Sequence, residues 1–282
     1  MMNQVYLNGK LLPIEQAQIS VLDRGFLLGD GIYEVIPAFG GKLFRLEQHL
    51  QRLDKSLSAV RIPNPHNHSE WQEILQRLIT SNDNDLSIYL QVTRGVAPKR
   101  DHAFPDKVVP TVFAMSNIIP EPDPATLEKG VNAITLDDIR WKRCDIKAIT
   151  LLANVVLRQE AHDHNAAEAI LIRDGQAMEG AASNLFIVSA DTIYTPPKGP
   201  QLLPGVTRDL ILELSREHGL TIEERNISEQ SLNNAQEIWL TSSTREILPV
   251  TQLNGNQVGN GRPGKYWQQM IQLYRDYKKG LR

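Results

Sequence analysis

Lys147 lies in the run Arg140-Trp-Lys-Arg-Cys-Asp-Ile-Lys147-Ala-Ile-Thr-Leu-Leu152, where a charged cluster gives way to apolar residues. An amine in a half-apolar setting sheds its proton more readily than one in water. The neutral amine is the nucleophile that condenses with an aldehyde. A surface lysine at the edge of Arg140, Lys142 and Arg143 is the plainer reading of the same residues. Glu179, in Met178-Glu-Gly-Ala-Ala-Ser-Asn184, sits between two predicted strands, with Gly180 beside it to let a ligand approach closely. A carboxylate there can bond a pyridine nitrogen and keep it protonated, although a solvated turn glutamate would look the same.

Two further runs offer anion sites. Pro204-Gly-Val-Thr-Arg-Asp209 precedes Leu210, Ile211 and Leu214 at helical spacing, so Val206 and Thr207 open a helix whose free backbone donors face an anion. Thr207 as an ordinary N-cap is the alternative. Thr241-Ser-Ser-Thr-Arg-Glu246 puts Ser242 and Ser243 at a strand end, where they bind an anion or make a polar turn. Arg52 falls on the leucine-rich face of a predicted helix and would add a forked, charged donor. Arg94-Gly-Val-Ala-Pro-Lys-Arg-Asp-His102 reads as a basic loop after a strand, in which Arg100 and His102 either clamp a carboxylate or are simply solvated.

The elements that must position these residues follow from pattern. Asn8-Gly9, Gly40-Gly41 and Asn254-Gly255 mark hairpins between apolar flanks. Leu46, Leu50, Leu53 and Leu57 predict a helix over 46–60, and further helices are expected at 71–79, 149–164, 207–218 and 228–235, with Pro263 opening a terminal one. In the helix at 149–164 the expected core stripe is Ile149, Leu152, Val156 and Gln159. Strands are predicted at 86–94, 108–116, 130–136, 168–173, 183–188 and 237–241. Three prolines within 119–124 break both helix and sheet. The expected organisation is therefore an N-terminal α/β domain over 1–120, a linker over 121–130 and a C-terminal α/β domain over 131–282 that carries Lys147.

A chain of 282 residues with a formal net charge of -3 has no basic excess to recruit nucleic acid. Its apolar runs are too short for a membrane span, and Met1 to Tyr6 lack a signal-peptide pattern, so a cytoplasmic location is expected. Cys144 is the one cysteine, which leaves neither an internal disulfide nor a cysteine-rich metal site, and no metal is expected.

Five motifs, Gly29-Asp-Gly-Ile-Tyr-Glu34, Arg143-Cys-Asp-Ile-Lys147, Glu179-Gly-Ala-Ala-Ser-Asn184, Gly205-Val-Thr-Arg208 and Thr241-Ser-Ser-Thr-Arg-Glu246, occur in this order. In that order the chain resembles the class IV aminotransferases, from Tyr6 to about Trp267, and most closely the D-amino-acid branch of that family. The resemblance implies a two-domain α/β fold of mixed α+β content with pyridoxal 5'-phosphate held between the domains. It also implies a homodimer, and a reaction between amino acids and 2-oxo acids. By the same resemblance Lys147 is the Schiff-base lysine and proton carrier, Glu179 bonds the pyridine nitrogen, and Arg140 keeps that carboxylate ionised. Arg52, Val206, Thr207, Ser242 and Ser243 hold the phosphate, and Leu203 packs on the ring. Tyr33 lines the substrate pocket, and Arg100 with His102 traps a substrate carboxylate. The activity implied is ping-pong transamination from D-alanine to 2-oxoglutarate, giving D-glutamate. A branched-chain L-amino-acid aminotransferase, an aminodeoxychorismate lyase and an (R)-amine transaminase share the pattern. A cofactor-binding protein without turnover is the non-enzymatic alternative. Ala181 and Ala182, where the D-amino-acid members usually carry serine, and Pro37, where lysine is common, set this chain apart.

Overall fold

The computed structural model describes residues 4–81, 84–107 and 109–280. The chain divides into two compact units, one formed by residues up to Pro120 together with Ile146–Leu151, the other by Glu121–Asp145 and Leu152–Gly280.

In the first unit β1 (Gln4–Leu7) and β2 (Lys10–Pro13) turn through Asn8 and Gly9 at φ 47° and 90°, the left-handed backbone that an Asn-Gly pair adopts with least strain. The short helix α1 (Arg24–Leu28) follows, capped by the Asp23 side chain on the Gly25 amide. Next come β3 (Gly31–Phe39), β4 (Lys42–Leu43), α2 (Leu46–Ala59), α3 (His68–Gln76), β5 (Leu86–Thr93) and β6 (Thr111–Ile118). They build an antiparallel sheet in the order β2-β1-β6-β5-β3-β4. Leu50, Leu53 and Leu57 of α2, with Trp71 and Leu75 of α3, bury against Ile32, Ile36, Ile88, Leu90 and Val92 of the sheet. Helix α3 starts ahead of the predicted Trp71 because Asn67 and Glu70 form a capping box. The strand predicted from Val108 starts at Thr111, since Pro110 has no N–H to give a ladder. Val108 itself lies outside the described residues.

The second unit contains α4 (Pro124–Lys129), β7 (Val131–Asp137), α5 (Leu152–Asp163), β8 (Glu168–Arg173), β9 (Gln176–Gly180), β10 (Asn184–Ser189), β11 (Thr192–Thr195), α6 (Val206–Glu217), β12 (Ile222–Glu224), β13 (Ile227–Ser228), α7 (Glu229–Asn233), β14 (Glu237–Ser242), β15 (Glu246–Leu253), β16 (Asn256–Gln257) and α8 (Lys265–Lys279). Its mixed sheet runs β12-β11-β10-β14-β15-β7-β8-β9-β13. The stretch expected as a linker over 121–130 thus holds a helix. Asp123 caps it, and Pro124 sits at its first turn, where the missing N–H costs nothing.

Four expectations are corrected here. The buried face of α5 is Leu157 and Ala161, packed on Ala169 and Leu171, while Leu152 and Val156 are exposed. The helix expected from Ile149 begins only at Leu152, since Ile149 is held by its backbone bond to Gly31 O beside β3. Glu179 lies inside β9, not in a turn. Helix α8 begins at Lys265 with Gly264 as its cap, leaving Pro263 outside.

The segment Ile146–Leu151, expected in the C-terminal domain, belongs to the first unit because its backbone pairs with β3. Tyr33 N donates to Lys147 O at 2.9 Å and Ile149 N to Gly31 O at 3.0 Å, around an antiparallel bridge between Ile32 and Ala148.

Candidate active site

Alternation along β3 decides where its side chains point. Ile32, Glu34 and Ile36 are fully buried, facing α2, whereas Tyr33 takes the opposite face and is half-buried. A glutamate at a core-facing position must find a charge, and Arg52 on the apolar stripe of α2 provides it. Arg52 Nε donates to Glu34 Oε1 at 2.7 Å and its Nη2 to Oε2 at 2.6 Å, a bidentate pair, while His49 Nδ1 lies 2.8 Å from Oε2. Burial alone would raise the Glu34 carboxyl, but Arg52 and His49 more than offset this and hold it far below the carboxylate range. Burial also lowers His49, which Glu34 only partly counters. His49 Nε2 is buried with no hydrogen-bond partner among the described residues.

Lys147 stands on the paired segment beside β3. Its backbone N donates to Ser56 Oγ of α2 at 3.3 Å, and its Nζ lies 4.1 Å from the centroid of the Tyr33 ring. Tyr33 in turn stacks on Tyr89 at 5.8 Å, and burial, with Tyr33 adding to it, pushes the Tyr89 phenol up to about 12. Lys147 is half-buried, neither a solvated surface lysine nor a sealed one. Arg100 and His102 are exposed on the loop between β5 and β6.

The second unit gathers a separate set. Glu179 is 3% exposed, and Arg140 Nη1 donates to its Oε1 at 2.5 Å. Asn184 Nδ2 donates to Oε2 at 3.0 Å, and the Leu203 amide reaches the same oxygen at 3.1 Å. Burial pushes the Glu179 carboxyl up to about 7, with Arg140 pulling the other way. Arg140 is itself aimed by Asp138, which accepts from its Nε and Nη2 at 2.9 Å each. Asn184 is the hub: it also donates to Leu203 O at 2.8 Å, and a Cβ on Gly205 would sit 1.9 Å from its Oδ1, so only glycine lets α6 begin there. Asn184 pairs across the ladder with Thr241, which puts both side chains on one face of the sheet. Ser242 ends β14 opposite Glu246, and Ser243 follows in the turn to β15. That turn is tied down by Arg245 N to Ser242 Oγ at 3.2 Å and by an ion pair from Arg245 to buried Glu168.

The residues of this second set fit pyridoxal phosphate on three counts. Helix α6 is twelve residues long and opens at Gly205 with no side-chain cap on its first amides, a ready anion site. Thr241 Oγ1 is buried without a hydrogen-bond partner among the described residues. Glu179, lifted by burial, is a carboxylate that gains from one more cationic or N–H partner such as a ring nitrogen.

Sequence reasoning assigned no role to Glu34, His49, Asp138, Asn184 or Thr241. Glu34 had a signal: it and Arg52 are opposite charges at core-facing positions of adjacent elements. Asn184 and Thr241 lay within quoted motifs, but nothing in their spacing makes them cross-strand partners.

This chain belongs to the class IV aminotransferases, whose family model matches residues 31–253. It is accordingly a pyridoxal phosphate-dependent transaminase acting on amino acids and 2-oxo acids. It is 41% identical to a D-alanine aminotransferase from Bacillus licheniformis, over 93% of this chain and 92% of that protein. It is 37% identical to a D-alanine aminotransferase from Staphylococcus haemolyticus, over 98% of both. Among solved structures it resembles the branched-chain amino acid aminotransferase of Escherichia coli with a TM-score of 0.90 and 27% identity, over 98% of this chain and 94% of that one. Among the described residues no helix is long and apolar enough to cross a membrane.

Proposed function

We propose that the chain moves amino groups from D-amino acids, D-alanine among them, to 2-oxoglutarate. What carries this reading is its similarity to D-alanine aminotransferases along nearly its whole length, which includes the Arg100-Asp-His102 loop. When bound, pyridoxal phosphate supplies an electron-accepting ring that stabilises negative charge at the substrate Cα. Glu179 bonds the ring nitrogen and Leu203 packs on the ring. Val206 and Thr207 give backbone and hydroxyl donors to the phosphate, as do Ser242 and Ser243, and Arg52 contributes charge to it. Lys147 Nζ bonds the cofactor and moves the proton at the substrate Cα, with Tyr33 lining its surroundings. Arg100 and His102 hold the substrate carboxylate.

A donor screen against 2-oxoglutarate tests this. Pyruvate should appear from D-alanine, and substituting Lys147→Ala should lower the rate by at least about 10²–10⁴-fold. Turnover of L-leucine but not D-alanine would instead support a branched-chain aminotransferase, the reading favoured by the solved structure it resembles. Pyruvate released from aminodeoxychorismate with no acceptor would support a lyase.

We also infer a homodimer and a cytoplasmic location. In the first unit Val21, Phe26, Val96 and Val109 are exposed by 69, 68, 53 and 81%. The chain segments that bear them run side by side, since Asp23 bridges Val96 and a Cβ on Gly95 would lie 2.0 Å from Val109 O. Such a patch favours a second apolar surface. Sedimentation should give a dimer that Phe26→Glu weakens; a monomeric wild type would remove the inference.

A further inference from the structure

The loop that carries Arg100 and His102 has little regular structure to hold it, since the described residues of 94–110 contain no helix and no strand beyond a single bridge at Val96. A stretch of this length loses its ability to present a fixed clamp unless other groups order it. Two buried arginines do so. Arg24, the first residue of α1, is 3% exposed and reaches three successive carbonyls: its Nη1 donates to Asp101 O at 2.6 Å and Ala103 O at 3.2 Å, and its Nη2 to His102 O at 3.3 Å. Its Nε donates to Asp30 Oδ2 at 2.8 Å. The same Asp30 carboxylate takes Arg94 Nε at 2.7 Å and Nη2 at 2.9 Å. Arg94 also donates to Val60 O and Arg61 O at 2.7 and 2.9 Å, and its guanidinium lies 3.7 Å from the centroid of the Phe104 ring. Arg61 reaches the same ring at 4.8 Å.

We propose that Arg24, Asp30, Arg94 and Phe104 form a clasp that sets the position of Arg100 and His102 and thereby the enzyme's selectivity for carboxylate-bearing substrates. They are positioning residues, acting through the loop backbone. The geometry is specific to that task. Arg24 grips the backbone on both sides of the His102 side chain, and Phe104 pins the loop two residues further on. Asp30 joins both guanidiniums, and its carboxyl stays ionised because, although burial raises it, the two arginines hold it below the ordinary range. A lysine at position 24 keeps the charge but has no planar fork to reach three carbonyls.

The inference rests on the reading of Arg100 and His102 as a carboxylate clamp, and the experiment separates the two. On the holoenzyme, Arg24→Lys and Phe104→Leu are compared with Arg100→Ala, using D-alanine and a primary amine that lacks a carboxylate. Phe104 is a partly exposed side chain, so its variant folds even if the buried Arg24 variant does not. Both clasp variants should raise KM for D-alanine roughly tenfold or more, towards the hundredfold that an ångström of misplacement costs, with kcat and the amine half-reaction unchanged. If Arg100→Ala raises KM while Phe104→Leu and a folded Arg24→Lys do not, the clasp is refuted and the clamp stands. If Arg100→Ala itself leaves KM unchanged, the clamp reading fails and the clasp with it. An equal loss of turnover with both substrates marks a merely structural role and also refutes the clasp.

Discussion

At the scale of single residues, Glu179 carries the clearest electrostatic consequence. Its carboxyl is lifted from an ordinary 4.5 to about 7, so without cofactor the folded state binds a proton more readily than the unfolded chain. Its contribution to stability is therefore fully present below pH 4.5 and is lost as pH rises through about 7. The linked change is on the order of 3 kcal/mol. Glu179→Gln apoprotein should lack that loss, so the gap between variant and wild type in urea unfolding should move in the variant's favour between pH 5 and pH 8. A gap that stays constant would show that Arg140 keeps the carboxylate fully ionised throughout. Part of each residue's local setting was legible: the run around Lys147 reads as half-apolar and the lysine is half-buried, and Gly205–Thr207 reads as a helix start and opens α6, whereas Glu179 lies buried in a strand. What the sequence could not show is partnership. Asp138 aiming Arg140, and Asn184 bridging Glu179 to Leu203, depend on which strands lie side by side.

At the scale of elements, the ends of helices decide more than their interiors. Glu237 of β14 accepts from the first amides of α8, Tyr266 N at 3.0 Å and Trp267 N at 2.9 Å, and from Trp239 Nε1 at 2.9 Å. A Cβ on Gly264 would lie 2.2 Å from the Glu237 carboxyl, so the turn into α8 is built around this side chain. Glu237→Ala leaves those donors buried and should cost about 2–3 kcal/mol in urea unfolding with cofactor chemistry intact. A loss below about 0.5 kcal/mol would mean that water replaces the carboxylate. Hairpins and α2 could be read ahead of the structure because Asn-Gly pairs and a leucine repeat are local signals. The face of α5 could not. Leu152, Val156 and Gln159 of the expected stripe are exposed, while the buried positions are Leu157 and the small Ala161. The short strands β9 and β11 were missed because, buried on both faces, they show no alternation.

For the molecule as a whole, the first unit is built to fail in acid. Glu34 is far more acidic folded than its ordinary 4.5, and it adds stability above that value that disappears as protons reach it. His49 is lowered from 6.5, so the unfolded chain takes up a proton first as pH falls below that point. Both effects drive unfolding on acidification. The wild-type thermal midpoint should fall between about pH 6.5 and pH 3 more steeply than that of Glu34→Gln/His49→Gln, a variant less stable near neutrality, with His49 acting from pH 6.5 downwards and Glu34 only below about 4.5. Parallel slopes would place the acid sensitivity elsewhere. The backbone route through Lys147 has a different consequence. The polypeptide enters the second unit after Pro120, returns to the first for only the six residues Ile146–Leu151, and leaves again. No single cut in the gene therefore yields two fragments that each encode a whole unit. A fragment ending at residue 120 lacks the segment that bears the amine, and its complement carries that segment without the β3 backbone it pairs with.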